Sequence, residues 1–372
     1  MSAPGRAPEP AFEYVFPAIR GVQAAREYYV SMCPLRLVPK VFLFNEEELV
    51  PELRAQRILN RARLPEMTQY ILANPGNYVF SALTASVDGA LRFEPLGESA
   101  DSSRIGRLRV PMESQFIIND GQHRRAAIEN ALRENPDLAD ESIAIVLFMD
   151  QGLERCQQMF ADLNRYVVRP SKSIGVLYDH RDDRAKLVRL VMGRCEAFRD
   201  LVEMERSTLS ARSRKLFTLS AIYSATNALM LGRDDLSLDE GAELAARYWT
   251  EVGKQLPEWG KVQQRELAAG EVRRDFIHSH GVVLQAIGRA GNTLTQKRSA
   301  SFSRQLRKLR SIDWSRSNSK QWEGRALVAG RVSKAGNNVV LTTNVVKRAL
   351  GVPLTPEEDR VERAFRRGKR GG

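Results

Sequence analysis

The sequence predicts an α/β (α+β) protein in which a mixed-sheet N-terminal domain precedes a mostly helical C-terminal region. Apolar runs at Phe116–Ile118 and Ile143–Met149 are typical of buried strands, and the segment between them has helical periodicity from Gln122 to Glu134. Strand, helix and strand within about 35 residues match the length of a βαβ unit, so a right-handed parallel crossover is expected. Residues 171–290 have mostly helical spacing.

The part of the chain before this unit predicts further short elements. Helices are expected at 51–59 and 65–73, and the Asp88-Gly89 turn predicts a hairpin. Residues 94–114 have the composition of a polar connection. Short strands are expected at Glu13–Phe16, Glu27–Val30, Leu37–Phe44, Tyr78–Leu83 and Leu91–Phe93.

Composition restricts the class of protein. The longest apolar run, Ile143–Met149, is far too short to cross a membrane, and the first residues lack the apolar region of a signal peptide. Three cysteines without paired spacing disfavour a disulfide framework or a cysteine-based zinc site. We therefore expect a cytoplasmic protein. The expected organisation is a disordered N-terminus at 1–11, a sheet domain at 12–170, a helical domain at 171–296, and a basic segment at 297–372 with a disordered end including 366–372.

The charge of the chain is concentrated at its C-terminal end. The 57 Lys and Arg residues exceed the 45 Asp and Glu residues by 12, yet residues 297–372 alone hold 19 basic and 6 acidic residues. Clustered basic charge predicts a polyanion such as DNA as partner, although a basic tail that only aids solubility would give the same count.

A predicted amphipathic helix within the basic segment would expose several of these charges. Phe302, Leu306 and Leu309 fit one apolar helical face, and the cations lie away from it. We expect these cations to contact DNA phosphates, the alternative being an ordinary solvated face. The predicted DNA-binding residues are Lys297, Arg298, Arg304, Arg307, Lys308 and Arg310.

The loop Asp120-Gly-Gln-His-Arg-Arg125 lies where a predicted strand ends and a helix begins. Such a junction presents free backbone amides and the positive end of the helix, which favour an anion. Gly121 permits close approach of the backbone or a positive φ, and the cationic side chains add phosphate donors. The alternative is that Asp120 only caps the helix while the cations are solvated.

Arg169-Pro-Ser-Lys-Ser173 forms a second anion candidate, because Ser171 or Ser173 can cap the helix that follows and place Lys172 at its start. A plain capped linker explains the same residues. The sequence predicts no metal site. His278-Ser-His280 lacks the spacing of a helical ligand pair and has only Asp275 nearby, and 179–183 has the composition of a charged turn.

The Asp-Gly-Gln-His-Arg motif resembles the signature of the DGQHR-domain family, and the match is closest to its DndB-like members of the bacterial DNA phosphorothioation (DNA sulfur modification) system. The resemblance covers most of the chain, including 12–21, 159–165 and 169–173. It implies a role in DNA sulfur modification and an association with other proteins of that system.

A more distant resemblance is to the ParB/sulfiredoxin-like fold, where a strand–loop–helix carries a Gly-x-x-Arg box. Gly121-Gln-His-Arg124 stands in that place, without the glutamate of ParB or the cysteine of sulfiredoxin. The resemblance implies a pocket for nucleotide or DNA phosphate. Its implied residues are Gly121, Gln122, Arg124, Asn164, Arg165 and Arg169. Arg125 of the loop and Lys172 of the second anion candidate complete the set of predicted phosphate-binding residues.

These resemblances leave three functions open. The first is a DNA-binding protein that regulates the modification genes at their promoter. The second is an ATPase and DNA nickase that uses ATP or another nucleotide with Mg²⁺. In it Asp120 holds the metal or orients water, His123 is the acid/base, and Arg124 and Arg125 clamp phosphate. The third is a scaffold for the sulfur-inserting machinery. A homo-oligomer is left open, and no membrane partner is expected.

Overall fold

The protein is described here by a computed structural model that covers residues 12–42, 61–89, 91–149, 158–159, 162–163, 170–296 and 302–368. The chain forms two compact units, Met1–Val168 and Arg169–Gly372. The first contains a mixed seven-stranded sheet and the second is mostly helical, which confirms the predicted fold class. The expectations for residues 1–11 and for a helix at 51–59 lie outside the described residues.

The first unit is a sheet with helices packed against it, and its strands follow the order β4-β5-β1-β2-β7-β3-β6. The strands are β1 (Glu13–Gln23), β2 (Arg26–Pro34), β3 (Leu83–Val87), β4 (Arg92–Pro95), β5 (Ile105–Pro111), β6 (Phe116–Asp120) and β7 (Ser142–Met149). The helices are α1 (Val38–Val41), α2 (Leu64–Leu72) and α3 (Gln122–Glu134), with single 3₁₀ turns at Leu35–Leu37, Arg61–Arg63 and Pro136–Asp140.

The predicted strand, helix and strand around α3 are present, but the predicted parallel crossover is wrong. β3 lies between β6 and β7; it pairs parallel to β7 and antiparallel to β6. The side chains of Leu83, Ala85 and Val87 in β3 are fully buried. This apolar strand occupies the central place beside β7, and so β6 is displaced to the edge of the sheet.

Three other strand predictions are also wrong. The strand predicted at Tyr78–Leu83 does not form, and β3 begins only at Leu83. The segment around Pro39 forms a 3₁₀ turn and α1, because a proline without an amide suits the first turn of a helix better than a ladder. Asp88-Gly89 does not join a hairpin, since β3 pairs with β6 and β7 whereas β4 pairs with β5. The strand β5 runs through the predicted polar connection, where buried Leu108 and Val110 alternate with arginines.

The second unit is built from helices, two pairs of short strands and two isolated β-bridges among the described residues. Its helices are α4 (Lys172–Tyr178), α5 (Asp183–Arg194), α6 (Leu219–Leu229), α7 (Leu238–Gly253), α8 (Pro257–Gln263), α9 (Ala269–Asp275), α10 (Gly281–Gln296), α11 (Phe302–Leu306), α12 (Ser319–Trp322), α13 (Gly336–Leu350) and α14 (Pro356–Gly368). Its short strands are β8 (Val202–Glu203), β9 (Phe217–Thr218), β10 (Leu327–Val328) and β11 (Arg331–Val332), and 3₁₀ turns form at Glu196–Phe198 and Arg307–Ser311.

Helix α10 lies at the centre of the second unit, packed against α6 and α13. A Cβ at Gly288 would lie 2.2 Å from the carbonyl oxygen of Ala225, so glycine permits the backbones of α10 and α6 to touch. The buried Tyr248 hydroxyl donates to the Ile287 carbonyl at 2.8 Å, which ties α7 to the same helix. No helix among the residues that the structure describes is long and apolar enough to span a bilayer.

The C-terminal part of this unit is more ordered than the sequence predicts. Gly336–Asn338 begins helix α13 and does not form a turn, and α14 continues through Arg366 to Gly368 within the segment predicted to be disordered. The buried carboxylate of Glu362 holds α14 against its neighbours through ion pairs with Arg325 and Arg348. Tertiary packing therefore outweighs the turn preference of the glycine and asparagines at 336–338.

Candidate functional site

The DGQHR loop is a tight junction between β6 and α3. Gly121 has φ +107°, a conformation that L side chains rarely adopt, and a Cβ there would lie 2.5 Å from Leu83 Cδ2. The predicted need for glycine at this position is confirmed. The requirement has two causes, the positive φ and the close packing of the loop onto β3.

The first turn of α3 has no side-chain cap. Arg125 N donates to the Gly121 carbonyl at 2.9 Å, and this bond starts the helical ladder. The amides of the preceding helical residues therefore lie at the positive end of a 13-residue helix. Asp120, the expected cap, does not fill this role.

Asp120 instead pairs with Arg124. Its Oδ2 accepts from Arg124 Nη2 at 2.6 Å, and Arg124 Nη1 donates to the Ser81 hydroxyl. The Asp120 side chain is 47% exposed and the Arg124 side chain 16%. Arg124 Nε is buried without a hydrogen-bond partner among the described residues. A guanidinium at a helix N-terminus, oriented by a carboxylate, suits the binding of phosphate oxygens.

Two neighbouring residues of the motif point into the interior. Arg125 Nε donates to the Phe42 carbonyl at 2.9 Å, its Nη2 donates to the Pro39 carbonyl at 3.2 Å, and its Nη1 pairs with Glu129. The buried Gln122 side chain donates back to the Ile118 carbonyl at 3.3 Å. The guanidinium of Arg125 thus fastens the end of α1 to α3, and we do not retain it as a phosphate ligand.

His123 lies on the first turn of α3 beside Arg124 and is partly buried. Burial lowers the pKa of its imidazole, and the nearby charges of Arg63 and Arg124 lower that pKa further. The imidazole is therefore neutral at pH 7. A neutral histidine can accept a proton or a hydrogen bond at this position, but it adds no positive charge for an anion.

The phosphate-binding residues implied after the motif lie mostly outside the part of the chain that the structure describes. Asn164, Arg165 and Arg169 lie outside the described residues, as do Lys297 and Arg298. Met159 is close to the motif, with its Sδ 3.1 Å from the buried amide nitrogen of Asn119 on β6. That amide also donates to Ser86 Oγ at 2.7 Å.

Lys172 occupies the first position of α4 and is exposed. Ser171 caps this helix by accepting from Ile174 N at 3.2 Å, which confirms one of the two predicted caps. Ser173 Oγ accepts from Ser220 N at 3.2 Å and donates to the Arg206 carbonyl at 2.9 Å. The serines of this segment are thus used in structural hydrogen bonds, whereas the Lys172 side chain is exposed.

The basic stretch that begins at Phe302 has the predicted amphipathic character. Phe302, Leu306 and Leu309 are buried, although the helix gives way to a 3₁₀ turn at Arg307. Four exposed cations on this stretch form no ion pair with a carboxylate among the described residues, and we call them the 304–310 cation cluster: Arg304, Arg307, Lys308 and Arg310.

Comparison with known proteins places the chain in a family. The family model of DndB, described as DNA-sulfur modification-associated, matches residues 16–353. The chain belongs to the DndB family. The predicted resemblance is confirmed, and this DndB-family protein is involved in DNA sulfur modification. No curated protein and no solved structure matches the chain in these comparisons.

Much of the basic excess of this DndB-family protein is used internally. Arg325 donates to both carboxylate oxygens of Glu362, at 2.8 and 2.7 Å, and Arg348 and Arg366 contact the same group. Burial alone would raise the pKa of Glu362, but hydrogen bonds from Arg325 and Asn344 and the surrounding positive charge lower it to about 2. The Arg325 side chain is only 11% exposed, so its charge is not available to DNA.

Sequence reasoning missed two contributors to the DGQHR site. Ser81, just before β3, binds Arg124, and Arg63 influences His123 from the turn before α2. Both lie about 40 to 60 residues upstream of the motif, in segments without any phosphate-binding pattern. No group of three His, Cys, Asp or Glu residues that could hold a metal occurs among the described residues.

Proposed function

We propose that this protein binds DNA and regulates the DNA sulfur-modification genes by binding their promoter. The observation that carries the proposal is the 304–310 cation cluster, in which four neighbouring cations are exposed and none lies within 4 Å of a carboxylate among the described residues, although the charge of Arg307 acts on Glu251. Phosphate contacts from Lys and Arg supply most of the affinity of a protein for DNA. Membership of a DNA-sulfur modification-associated family makes DNA the polyanion of first choice.

The DGQHR junction supports a second contact with phosphate in the same role. Its uncapped helix start and its oriented Arg124 present donors to one or two oxygens of an anion. Arg124 can reach a nucleotide phosphate or a DNA phosphate with the same atoms. We propose Gly121 and Arg124 as the centre of this contact, with ATP or another nucleotide as its small-molecule ligand.

Promoter recognition is tested with two duplexes of equal length, one carrying the promoter of the modification genes and the other a shuffled sequence. Fluorescence anisotropy at physiological salt gives both dissociation constants. We expect the promoter duplex to bind at least about 1,000-fold more tightly, the lower limit typical of specific DNA binding. Equal affinities would contradict regulation by promoter recognition while leaving general DNA binding intact.

The alternative function is nucleotide-dependent hydrolysis with DNA nicking. One observation favours it: the strand–helix junction carries both a histidine whose imidazole pKa is lowered by burial, His123, and a half-exposed carboxylate, Asp120, the two group types that proton transfer and Mg²⁺ binding require. Supercoiled plasmid is incubated with the protein, Mg²⁺ and ATP, and relaxed DNA and released phosphate are measured. Turnover that is lost in both Asp120→Ala and His123→Ala would support the enzyme; no turnover in the wild type would exclude it under these conditions.

A further inference from the structure

A cavity of about 500 Å³ in the second unit lies between the segment 207–218 and the start of α10. Its size falls within the range of small-ligand sites. No aspartate or glutamate is among the described residues that line it. The polar residues lining it are Ser207, Thr208, Thr218, Arg273, Arg274, Ser279, His280 and Arg316.

The start of α10 opens into this cavity. The carbonyl of His280 accepts from Val283 N at 2.9 Å and from Leu284 N at 3.0 Å, so His280 is the residue that precedes the first helical turn. Gly281, the first residue of this 16-residue helix, lines the cavity. The positive end of a long helix thus meets a cavity wall without acidic residues.

Arg273 brings a positive charge that no carboxylate neutralises within the part of the chain that the structure describes. Its Nη2 donates to the carbonyls of Ser210, Ala211 and Ser213 at 2.8, 3.2 and 3.1 Å, and its Nε donates to Ala269. Nη1 is buried without a partner. A half-buried guanidinium held only by carbonyl dipoles lacks a counter-ion, and an anion in the cavity would supply one.

Arg316 adds a second such charge. Its Nη2 donates to the Gly330 carbonyl at 2.9 Å, and it forms no ion pair with a described carboxylate. The third arginine on the wall differs, because Arg274 is paired with Asp275 at 2.8 Å. Two of the three arginines are thus left to attract an anion.

The Ser279 hydroxyl indicates a bound ligand independently of the charges around the cavity. Its side chain is 4% exposed and lines the cavity, yet its hydroxyl has no hydrogen-bond partner among the described residues. Buried hydroxyls in folded proteins are almost always satisfied, since an unmade hydrogen bond costs stability. A bound group with acceptor oxygens would satisfy this hydroxyl.

We propose that the cavity at the start of α10 binds a phosphoryl group, either a free phosphate or nucleotide or a phosphate of the DNA backbone. The helix start, Arg273 and Arg316 balance the negative charge, and Ser279 donates a hydrogen bond to one oxygen. This site is separate from the DGQHR loop and does not depend on the function proposed for it.

The test measures binding of inorganic phosphate to the full chain by thermal unfolding at constant ionic strength. We expect a saturable rise in Tm, because a ligand that binds the folded state stabilises it. Ser279→Ala should weaken the apparent affinity about tenfold, as expected for one hydrogen bond to a charged group. Arg316→Gln should weaken it by at least as much.

The matched control is Thr68→Val. Thr68 Oγ1 is another buried hydroxyl without a partner, but it lies on α2 in the first unit. Both Ser279→Ala and Thr68→Val remove a hydroxyl without a hydrogen-bond partner among the described residues, so both variants should fold. No saturable effect of phosphate on the wild type, or equal phosphate affinity in the wild type and Ser279→Ala, would overturn the proposal.

Two further binding experiments, one with AMP and one with a 20-base-pair duplex, identify the source of the phosphoryl group. If the site takes a backbone phosphate, Ser279→Ala weakens duplex binding and inorganic phosphate competes with the duplex. If it takes a nucleotide, Ser279→Ala weakens AMP binding and leaves duplex affinity unchanged. If neither larger ligand responds and inorganic phosphate still does, the site binds free phosphate.

Discussion

Asp120 and Arg124 form an ion pair across the first turn of α3, with 2.6 Å between Oδ2 and Nη2. The pair replaces the helix cap that Asp120 would otherwise provide, and so it leaves the helix start open while it orients a guanidinium beside it. The two residues therefore act together. Asp120 positions Arg124, and we propose that Arg124 contacts the anion.

Arg124→Lys tests this arrangement. Lysine lacks the planar fork that lets Arg124 bind Asp120 and Ser81 at once, so affinity for DNA should fall about tenfold. Fluorescence anisotropy with the promoter duplex gives the measurement. Arg133→Lys is the matched control, because Arg133 also forms an i,i+4 ion pair on α3, with Glu129 at 2.6 Å. Equal losses in both variants would argue against a special role for Arg124.

Gly121→Ala should destabilise the first unit by about 2 kcal/mol, since alanine must adopt a positive φ and its Cβ would clash with Leu83. Urea unfolding monitored by circular dichroism measures the change. Gly76→Ala is the control, because a Cβ at Gly76 meets nothing within 4 Å. A stability loss for Gly121→Ala no larger than for Gly76→Ala would contradict the geometry described for the loop.

Arg125→Met should reduce stability more than it reduces binding. The guanidinium of Arg125 satisfies the carbonyls of Phe42 and Pro39, and its removal leaves those buried acceptors unpaired at a cost of about 2–4 kcal/mol. Urea unfolding and anisotropy are measured on the same sample. Unchanged stability with greatly weakened DNA binding would restore Arg125 as a phosphate ligand.

Glu362→Gln should alter the response of stability to acid. The folded-state pKa of Glu362, about 2, lies below the value of about 4.3 for an unfolded glutamate. Its contribution, about 3 kcal/mol, is thus present at neutral pH and is lost as the pH falls from about 4.3 through about 2. The free energies of unfolding of the wild type and Glu362→Gln should differ at pH 7 and converge towards pH 2.

Asp359→Asn is the control for that experiment. Asp359 also pairs with an arginine on α14, at 3.0 Å from Arg363, but both side chains are largely exposed. An exposed pair contributes little, so this change should cost less than about 1 kcal/mol at pH 7. A constant difference between the wild type and Glu362→Gln across this pH range would show that Glu362 is not held ionised by its arginines.

The sequence predicted the strand–loop–helix of the motif because local signals there agree. The apolar run of β6, the glycine and the helical periodicity of α3 all point to one structure, and α3 begins and ends where expected. The prediction of a parallel crossover was wrong because the order of the strands depends on β3, which lies about 30 residues upstream of β6. The sequence of β3 does not indicate which strands it pairs with. Sheet order is a non-local property.

The prediction of phosphate-binding residues counted cationic side chains without knowing which acceptors each one meets in the fold. Arg124 and Arg125 are adjacent and chemically identical, yet one faces the helix start and the other satisfies carbonyls of α1 and its neighbouring residue. The basic excess after residue 296 likewise divides into an exposed cluster and cations such as Arg325 that surround a buried glutamate. Spacing along a chain does not reveal which acceptor each cation meets in the fold.

The central claim is that the 304–310 cation cluster contacts DNA phosphate. A triple variant, Arg304→Gln, Arg307→Gln and Lys308→Gln, is compared with a control that removes three exposed cations already paired with carboxylates, Arg92→Gln, Arg133→Gln and Arg363→Gln. Both variants lower the net charge by three.

The decisive measurement is the slope of log affinity for the promoter duplex against log salt concentration. We predict that the cluster variant flattens this slope by about 2.7, as expected for three lost phosphate contacts, and that the control variant leaves it near the wild-type value. Equal slopes for the wild type and the cluster variant would contradict the account.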